Sequence, residues 1–519
     1  MRFNYKIFGL VMFVMLICCL SAASATDVDN ITVPDDTPVI EIDDVVDSVE
    51  DVESDEADEI VSTESVTVTE ENYGNYFDAD GYMTTTSDLT FTGNFTSKSF
   101  GNFKINNAVT VTANGATFDG VGFDLLADGL TLNGGNSRNV ITTPIYVGAN
   151  NVVLQNLEFN IVGDDDTNNY AIYVNGYTGI KILNNTITFT ETSTNSDFDD
   201  YVIKVKNSPG IEIIGNTIVA YLPLKDVDYW SGERTGMDMD LAAVIGIENS
   251  NGFNISYNDI KVNVSDSSGD FPTLDTIIVL DSANSYIGHN NITEIDDVTE
   301  IGSANYLYAV DVYRCNNLTI TDNDIKLVSA GGTYIAGTMN GTSAAYGIQL
   351  TGAINGITIS NNKINTSNNG PNLGIYAQNY MGDINNLDII NNTIYVEGNA
   401  GLHSWSLVSG MELGVNNAHV AKNTITVKNK VPYTTNANAY GISLAQGAMG
   451  NPAFNITCNT VTLINGAYAV YLMSCTNTYV TNNCLDTTYY CCNNAVYCNG
   501  AATISGNYCP NCNGNNCHC

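Results

Sequence analysis

Basic residues are scarce: 17 lysines and arginines stand against 56 acids, for a formal charge of −39. The arginines are Arg2, Arg138, Arg234 and Arg314 alone. A chain without a basic footprint is not a nucleic-acid binder, and an anionic lipid surface is an equally poor partner. No apolar run after Leu20 is long enough to span a bilayer, which argues against a transmembrane anchor in the mature chain. Proline (10) and tryptophan (2) are rare, and charged side chains make up only 14%, against about a quarter in ordinary domains. What fills the chain instead is asparagine, glycine, threonine, isoleucine and tyrosine. That mixture suits many short strands joined by tight turns, not helices.

The N-terminus reads as an export signal over residues 1–25. Arg2 and Lys6 open it, Ile7 to Leu20 form an apolar stretch of 14 residues, and Ala23-Ser24-Ala25 has the small-residue pattern of a cleavage site. The expected location is therefore extracellular, secreted or at the cell surface. Residues 26–71 follow as an acidic leader. Residues 27–71 hold 18 acids and no Lys or Arg, too little apolar surface to offset ordering entropy, so a disordered spacer is expected.

The body is one repeat. The pattern Ile-x-Ile-x-x-Asn-x-Ile, first clear at Ile180 to Ile187, recurs with its asparagine at Asn185, Asn216, Asn258, Asn290, Asn323, Asn362, Asn392, Asn423, Asn459, Asn483 and Asn507. Three residues earlier stands a β-branched residue in every copy, from Ile182 to Ile504. A second motif lies upstream, as in Tyr170 to Val174, Tyr308 to Val312, Tyr346 to Leu350, Tyr440 to Leu444 and Tyr468 to Leu472. Each unit thus holds three short segments alternating with period 2, which means strands with one face buried. The last two units are 24 residues long, enough for three strands and three turns and no more. The predicted fold class is all-β: a right-handed parallel β-helix of about 12 or more coils, three strands to a coil. The asparagines are read as a structural ladder, hydrogen-bonded from coil to coil and placed at a bend that takes a left-handed conformation. Residues 72–150 are read as an N-terminal cap with the first coils, and 151–519 as the repeats, with Cys-rich C-terminal coils at about 458–519.

On these residues the chain resembles the adhesin-like surface proteins of methanogenic archaea, whose β-helix repeats are also seen in copper-reductase accessory proteins of the NosD type. The repeat Gly356 to Ile364 and the opening Asn75 to Gly81 carry the resemblance, which covers residues 72 to about 510. It implies a surface location and an adhesive role towards glycans or proteins of a host, a symbiont or a cell wall, and no particular ligand. The fold also hosts polysaccharide lyases, hydrolases and epimerases, which form the alternative.

Length varies mostly between the strand after the asparagine and the next Tyr motif, so insertions should emerge along one edge. The longest, Tyr221 to Asp240, carries Tyr221, Tyr229, Trp230 and Arg234; another carries His403 and Trp405. These six are the candidate binding residues. No catalytic residue is assigned: the nearest approach to a site is Asp311 beside Arg314, for which an exposed strand pair is the preferred reading. His289 reads as an outward turn residue. No cofactor is expected; calcium is a candidate at Asp164 to Asp166, where three solvated loop acids are the preferred reading. Eleven Asn-x-Ser/Thr sequons, Asn455 among them, are a by-product of the repeat as much as a glycosylation signal.

Ten of the 13 cysteines lie in residues 458–519. Their offsets from the ladder asparagines predict Cys475–Cys498 and Cys484–Cys509 as inter-coil disulfides, with zinc on the Cys509, Cys512, Cys517 and Cys519 tail as the rival. Cys315 is the cysteine left over.

Overall fold

The computed structural model describes residues 65–163, 169–191, 199–226, 242–267, 272–297, 305–329, 344–379, 382–400, 407–431, 438–444, 453–473 and 475–509. The signal, most of the acidic leader, Asp164 to Asp166, Tyr229, Trp230, Arg234, His403, Trp405, Cys512, Cys517 and Cys519 lie outside them.

The strands stack in parallel, each on the equivalent strand of the next repeat. A 16-stranded sheet runs from Val66–Val68 to Ala502–Ser505, one strand to a coil. A 28-stranded sheet holds the other two strands of each coil as two parallel columns. These columns touch in an antiparallel pairing of Lys225 and Asp226 with Thr273 and Pro272. The chain is thus a parallel β-helix of sixteen coils, about 70 Å long at roughly 4.8 Å per coil. One coil shows the logic: Lys181–Leu183 precedes the ladder asparagine, Thr186–Thr190 follows it, and Asp200–Lys206 closes the turn before Glu212–Ile214 begins the next coil. We call these the first, second and third strands.

Alternation fills the interior. Ile182 stacks on Leu154 and Ile213, and Ile187 on Phe159 and Ile218, all fully or nearly fully buried. The N-terminal end is plugged by rings: Phe77, Phe91, Phe95, Phe103, Phe118 and Phe123 pack with centroids as close as 4.7 Å. The opening motif builds this plug. Asp78 accepts from the backbone N–H groups of Asp80 and Tyr82, and Gly81 takes φ +80° against Phe100, so Phe77 turns inward. The leader is shorter than expected, because Val66–Val68 already pairs with Leu89–Phe91 and buries Val68.

The ladder runs unbroken. Each asparagine Nδ2 donates to the next Oδ1 at 2.9–3.0 Å, from Asn185 to Asn216 and on to Asn507. Each Oδ1 also accepts the backbone N–H of the preceding ladder residue, as Asn216 does from Asn185 at 2.9 Å. The ends close too: Leu157 N–H donates to Asn185, and Asn507 donates to Asn493. The left-handed position, however, is not the ladder residue but the one before it. Asn184, Gly215, Tyr257, His289, Asp322, Asn361, Asn391, Lys422, Cys458, Asn482 and Gly506 all have φ between 53° and 70°. The reason is geometric. The bend must turn the backbone before the amide can point inward, so the left-handed residue lies outward of the ladder residue, whose side chain is buried. His289 sits at this outward position, stacked on Tyr257 at 4.7 Å.

The cysteines depart from the expected pairing. Cys475 and Cys498 are adjacent, Sγ to Sγ 3.2 Å, but remain thiols. Cys484 stands opposite Tyr508, which places Cys509 over Leu485 rather than over Cys484; the Cys509 thiol donates to Asp486. Strand alternation decides this, since a one-residue offset sends the two side chains to different places. Cys491 is disulfide-bonded. Cys315 is fully buried, with its thiol pushed up to about 12 by burial, and continues a column of serines, Ser208, Ser250 and Ser282, whose hydroxyls accept backbone N–H groups between coils. Mild oxidation of the native chain should close Cys475–Cys498, lower the titratable thiols by two and raise the melting temperature. An unchanged thiol count would refute the staple.

Candidate functional site

The third strands form the face beside which the insertions emerge: long intervals separate second from third strands, as between Asp226 and Ala242 and between Ser329 and Ala344. Their inward residues are Ile172, Ile203, Ile245, Ile277 and Val310 in register. The Tyr-motif rings point outward and lie outside the main core. Tyr170, Tyr201, Ala243, Ile278, Leu280 and Tyr313 make a second, separate hydrophobic cluster.

Two outward stripes follow. One runs Ile278, Asp311, Gln349, Tyr376, Glu412, Ser443, Tyr471 and Tyr497, each opposite the next. The other brings Tyr308, Tyr346, Ser409, Tyr440 and Tyr468 alongside. Towards the C-terminus the rings stack: Tyr440 on Tyr471 at 4.4 Å, Tyr471 on Tyr497 at 4.8 Å, Tyr468 on Tyr490 at 5.3 Å. Tyr490 is exposed and the others partly so. Burial and the Tyr497 and Tyr468 neighbours raise the Tyr471 phenol, so that hydroxyl stays a neutral donor.

Glu412 stands in the same stripe, partly buried, accepting from Gln378 Nε2 at 3.3 Å. Burial pushes its carboxyl up to about 7, with the Gln378 bond opposing. A carboxyl in that range exchanges protons at neutral pH. Asp311, the other acid of the stripe, is fully buried and accepts from Gln349 Nε2 at 3.2 Å. It lies three coils away, about 14 Å, beyond the carboxylate spacing of about 5–9.5 Å that glycoside hydrolysis uses. The expected exposed pairing with Arg314 is corrected: Arg314 grips Asp281 of the preceding coil at 2.6 and 2.7 Å and lies over the Tyr313 ring.

Tyr221 is 42% exposed but belongs to the strand Thr217–Asp226, not to a loop. Beyond it Leu222, Leu224 and Lys225 turn inward, and Lys225 pairs with the fully buried Asp200 at 2.6 Å. Desolvation raises Asp200 to about 6 although Lys225 and Asn169 pull it down. The other five candidate binding residues lie outside the described residues. Among the described residues no three His, Cys, Asp or Glu side chains group to hold a metal ion, and no helix is long and apolar enough to cross a membrane.

Sequence reasoning missed Glu412 and the ring stack as a site. The available signal was the Tyr motif, since Ser443 and Tyr471 stand three residues after Tyr440 and Tyr468, and Glu412 three after Ser409, which occupies the same place.

No protein-family model matches the chain, and no curated protein matches it significantly. Solved structures do. The chain is similar to the Dettilon tailspike protein at 14% identity over 72% of its own length, with a TM-score of 0.39, and spans 62% of that protein. It is similar to a catalytic domain of a GH87 α-1,3-glucanase (15% identity, 81% of this chain, 64% of that chain, TM-score 0.33). A periplasmic alginate epimerase is a third likeness (10% identity, 73% of this chain, 84% of that chain, TM-score 0.32). At these identities the likeness is one of fold.

Proposed function

We propose that the protein is an exported, adhesin-like rod that binds glycans on the outer face of its third strands. The observation that supports this reading is the stacked tyrosine patch of Tyr440, Tyr468, Tyr471, Tyr490 and Tyr497. Such rings offer π faces to the apolar side of a sugar and hydroxyls to its polar edge, at low entropic cost. The candidate contacts Tyr229, Trp230, Arg234, His403 and Trp405, outside the described residues, belong to the same proposal. The acidic leader and the charge of −39 keep the rod soluble and away from anionic polymers.

A glycan array probed with the purified chain, with and without EDTA, tests the reading and any calcium dependence. Tyr440→Ala with Tyr471→Ala should lower affinity for the best glycan about tenfold or more while the β-sheet circular dichroism stays unchanged. Absence of binding across the array, or binding indifferent to the patch, would reject it.

A carbohydrate-active enzyme is the second reading, and Glu412 is the observation that favours it. A single carboxyl near neutrality suits proton abstraction or donation in a lyase or epimerase better than a two-carboxylate hydrolysis. Turnover that Glu412→Gln abolishes, with a pH profile inflecting near 7, would establish it.

A further inference from the structure

A different face carries a groove. It crosses four neighbouring first strands, Ile384–Ile390, Asn417–Ala421, Ala453–Thr457 and Thr478–Thr481, and encloses about 680 Å³. Along its length Asp388, His419, Asn455 and Tyr479 stand in register, one to a coil. Asn417 is paired with Ala453, whose short side chain deepens the floor. Asn386, Asn417 and Asn477 line the groove, and Asn417 and Asn386 are linked to each other. Tyr479 is 52% exposed.

We propose that this groove is a second carbohydrate site, which takes a neutral oligosaccharide lying along the rod axis. An amide offers a donor and an acceptor side by side, as a sugar hydroxyl does; Asn386 and Asn417 stand one coil apart, about 4.8 Å, and Asn477 two coils beyond Asn417. The Tyr479 ring supplies the stacking face at one end. The volume lies within the range of small-molecule sites. Charge selects against the acidic alternatives. The groove's one acid, Asp388, lies 3.6 Å from His419, no Lys or Arg lines it, and the chain as a whole repels polyanions. A peptide would need an open strand edge to pair with, and all four strands are paired on both sides. Asn455 opens an Asn-Ile-Thr sequon, so a glycan attached there would fill the groove.

The test is calorimetric titration of the full chain, made without N-glycosylation, with cellohexaose, xylohexaose and chitohexaose as neutral probes and hexagalacturonate as the anionic one. At least one neutral probe should bind. Tyr479→Ala should weaken it about tenfold or more, and His419→Ala by a smaller factor, while Tyr146→Ala, an exposed ring outside both sites, leaves it unchanged. Tyr479 is exposed and His419 half-exposed, so folding is preserved, as melting curves would verify. The inference is overturned if no neutral probe binds, if the groove variants bind as well as wild type, or if hexagalacturonate binds the groove better. Loss through Tyr471→Ala alone would support the tyrosine patch and refute the groove.

Discussion

Raising the pH from about 4.5 to about 8 should cost the wild-type rod roughly 5 kcal/mol of stability that the Glu294→Gln variant keeps. Glu294 faces the interior from the second strand Asn291–Asp296, stacked between Val262 and Leu327. It is fully buried, and Thr276 donates to its Oε2 at 2.9 Å. Its Oε1 has no hydrogen-bond partner among the described residues. Burial pushes the carboxyl up from 4.5 to about 8, helped by Asp296 and opposed by Thr276. The folded state therefore holds a proton that the unfolded chain releases near pH 4.5. The stabilisation is complete below that pH, falls as pH rises, and is gone above about 8, where both states are ionised. Glutamine fills the same volume and keeps a polar contact for Thr276, but does not titrate. Melting temperatures at pH 5 and pH 8 for both proteins supply the check. Other acids give both proteins a common slope, so only the difference counts. Equal slopes would mean that Glu294 is ionised or solvated in the folded chain.

Glu294 also marks what a repeat hides. Alternation already places it on the side of Ile292, yet an acid at an inward position reads in sequence as the end of a strand. The coil architecture was legible for the opposite reason. A parallel β-helix stacks like on like, so one structural demand is written many times, and Ile213, Ile255 and Ile287 form a column in the sequence as they do in space. The left-handed corner escaped the same reading. Asn184, Tyr257, Lys422 and Cys458 share a conformation but no side chain, while the neighbouring ladder asparagines share both. The candidate site was hardest to see. Binding surfaces are not repeated from coil to coil, and Glu412 is legible only once Tyr376, Ser443 and Tyr471 are known to stand beside it. The Lys225–Asp200 pair shows the cost of ignoring such context. Removing Tyr221 to Asp240 as a supposed loop would strip the partner from a buried acid and unfold those coils, whereas an excision confined to 227–241 spares it.

Asn362→Val should destabilise the rod by about 4 kcal/mol, while Asn361→Gly should be close to neutral. Asn362 donates to Asn392 Oδ1 at 3.0 Å and to the Ile320 carbonyl at 2.8 Å. Its Oδ1 accepts from Asn323 twice, from the backbone N–H at 3.0 Å and from Nδ2 at 2.9 Å. Valine breaks all four. The Asn323 Nδ2 keeps the carbonyls of Ile287 and Thr321, and the Asn392 Oδ1 keeps the Asn362 N–H, so those losses are partial. The Asn323 N–H keeps nothing: it is buried beside a methyl group, and an unpaired buried amide alone costs about 1–3 kcal/mol. Asn361 has φ 56° and an exposed side chain, so glycine there relieves backbone strain about as much as it adds chain entropy. Chemical denaturation of both variants separates the two roles. If Asn361→Gly proves the more damaging, the bend and not the amide column holds the coils in register. If Asn362→Val is the more damaging and its loss is smaller in Asn507→Val, where the ladder ends against Asn493, the column acts as a chain of bonds whose interior members matter most.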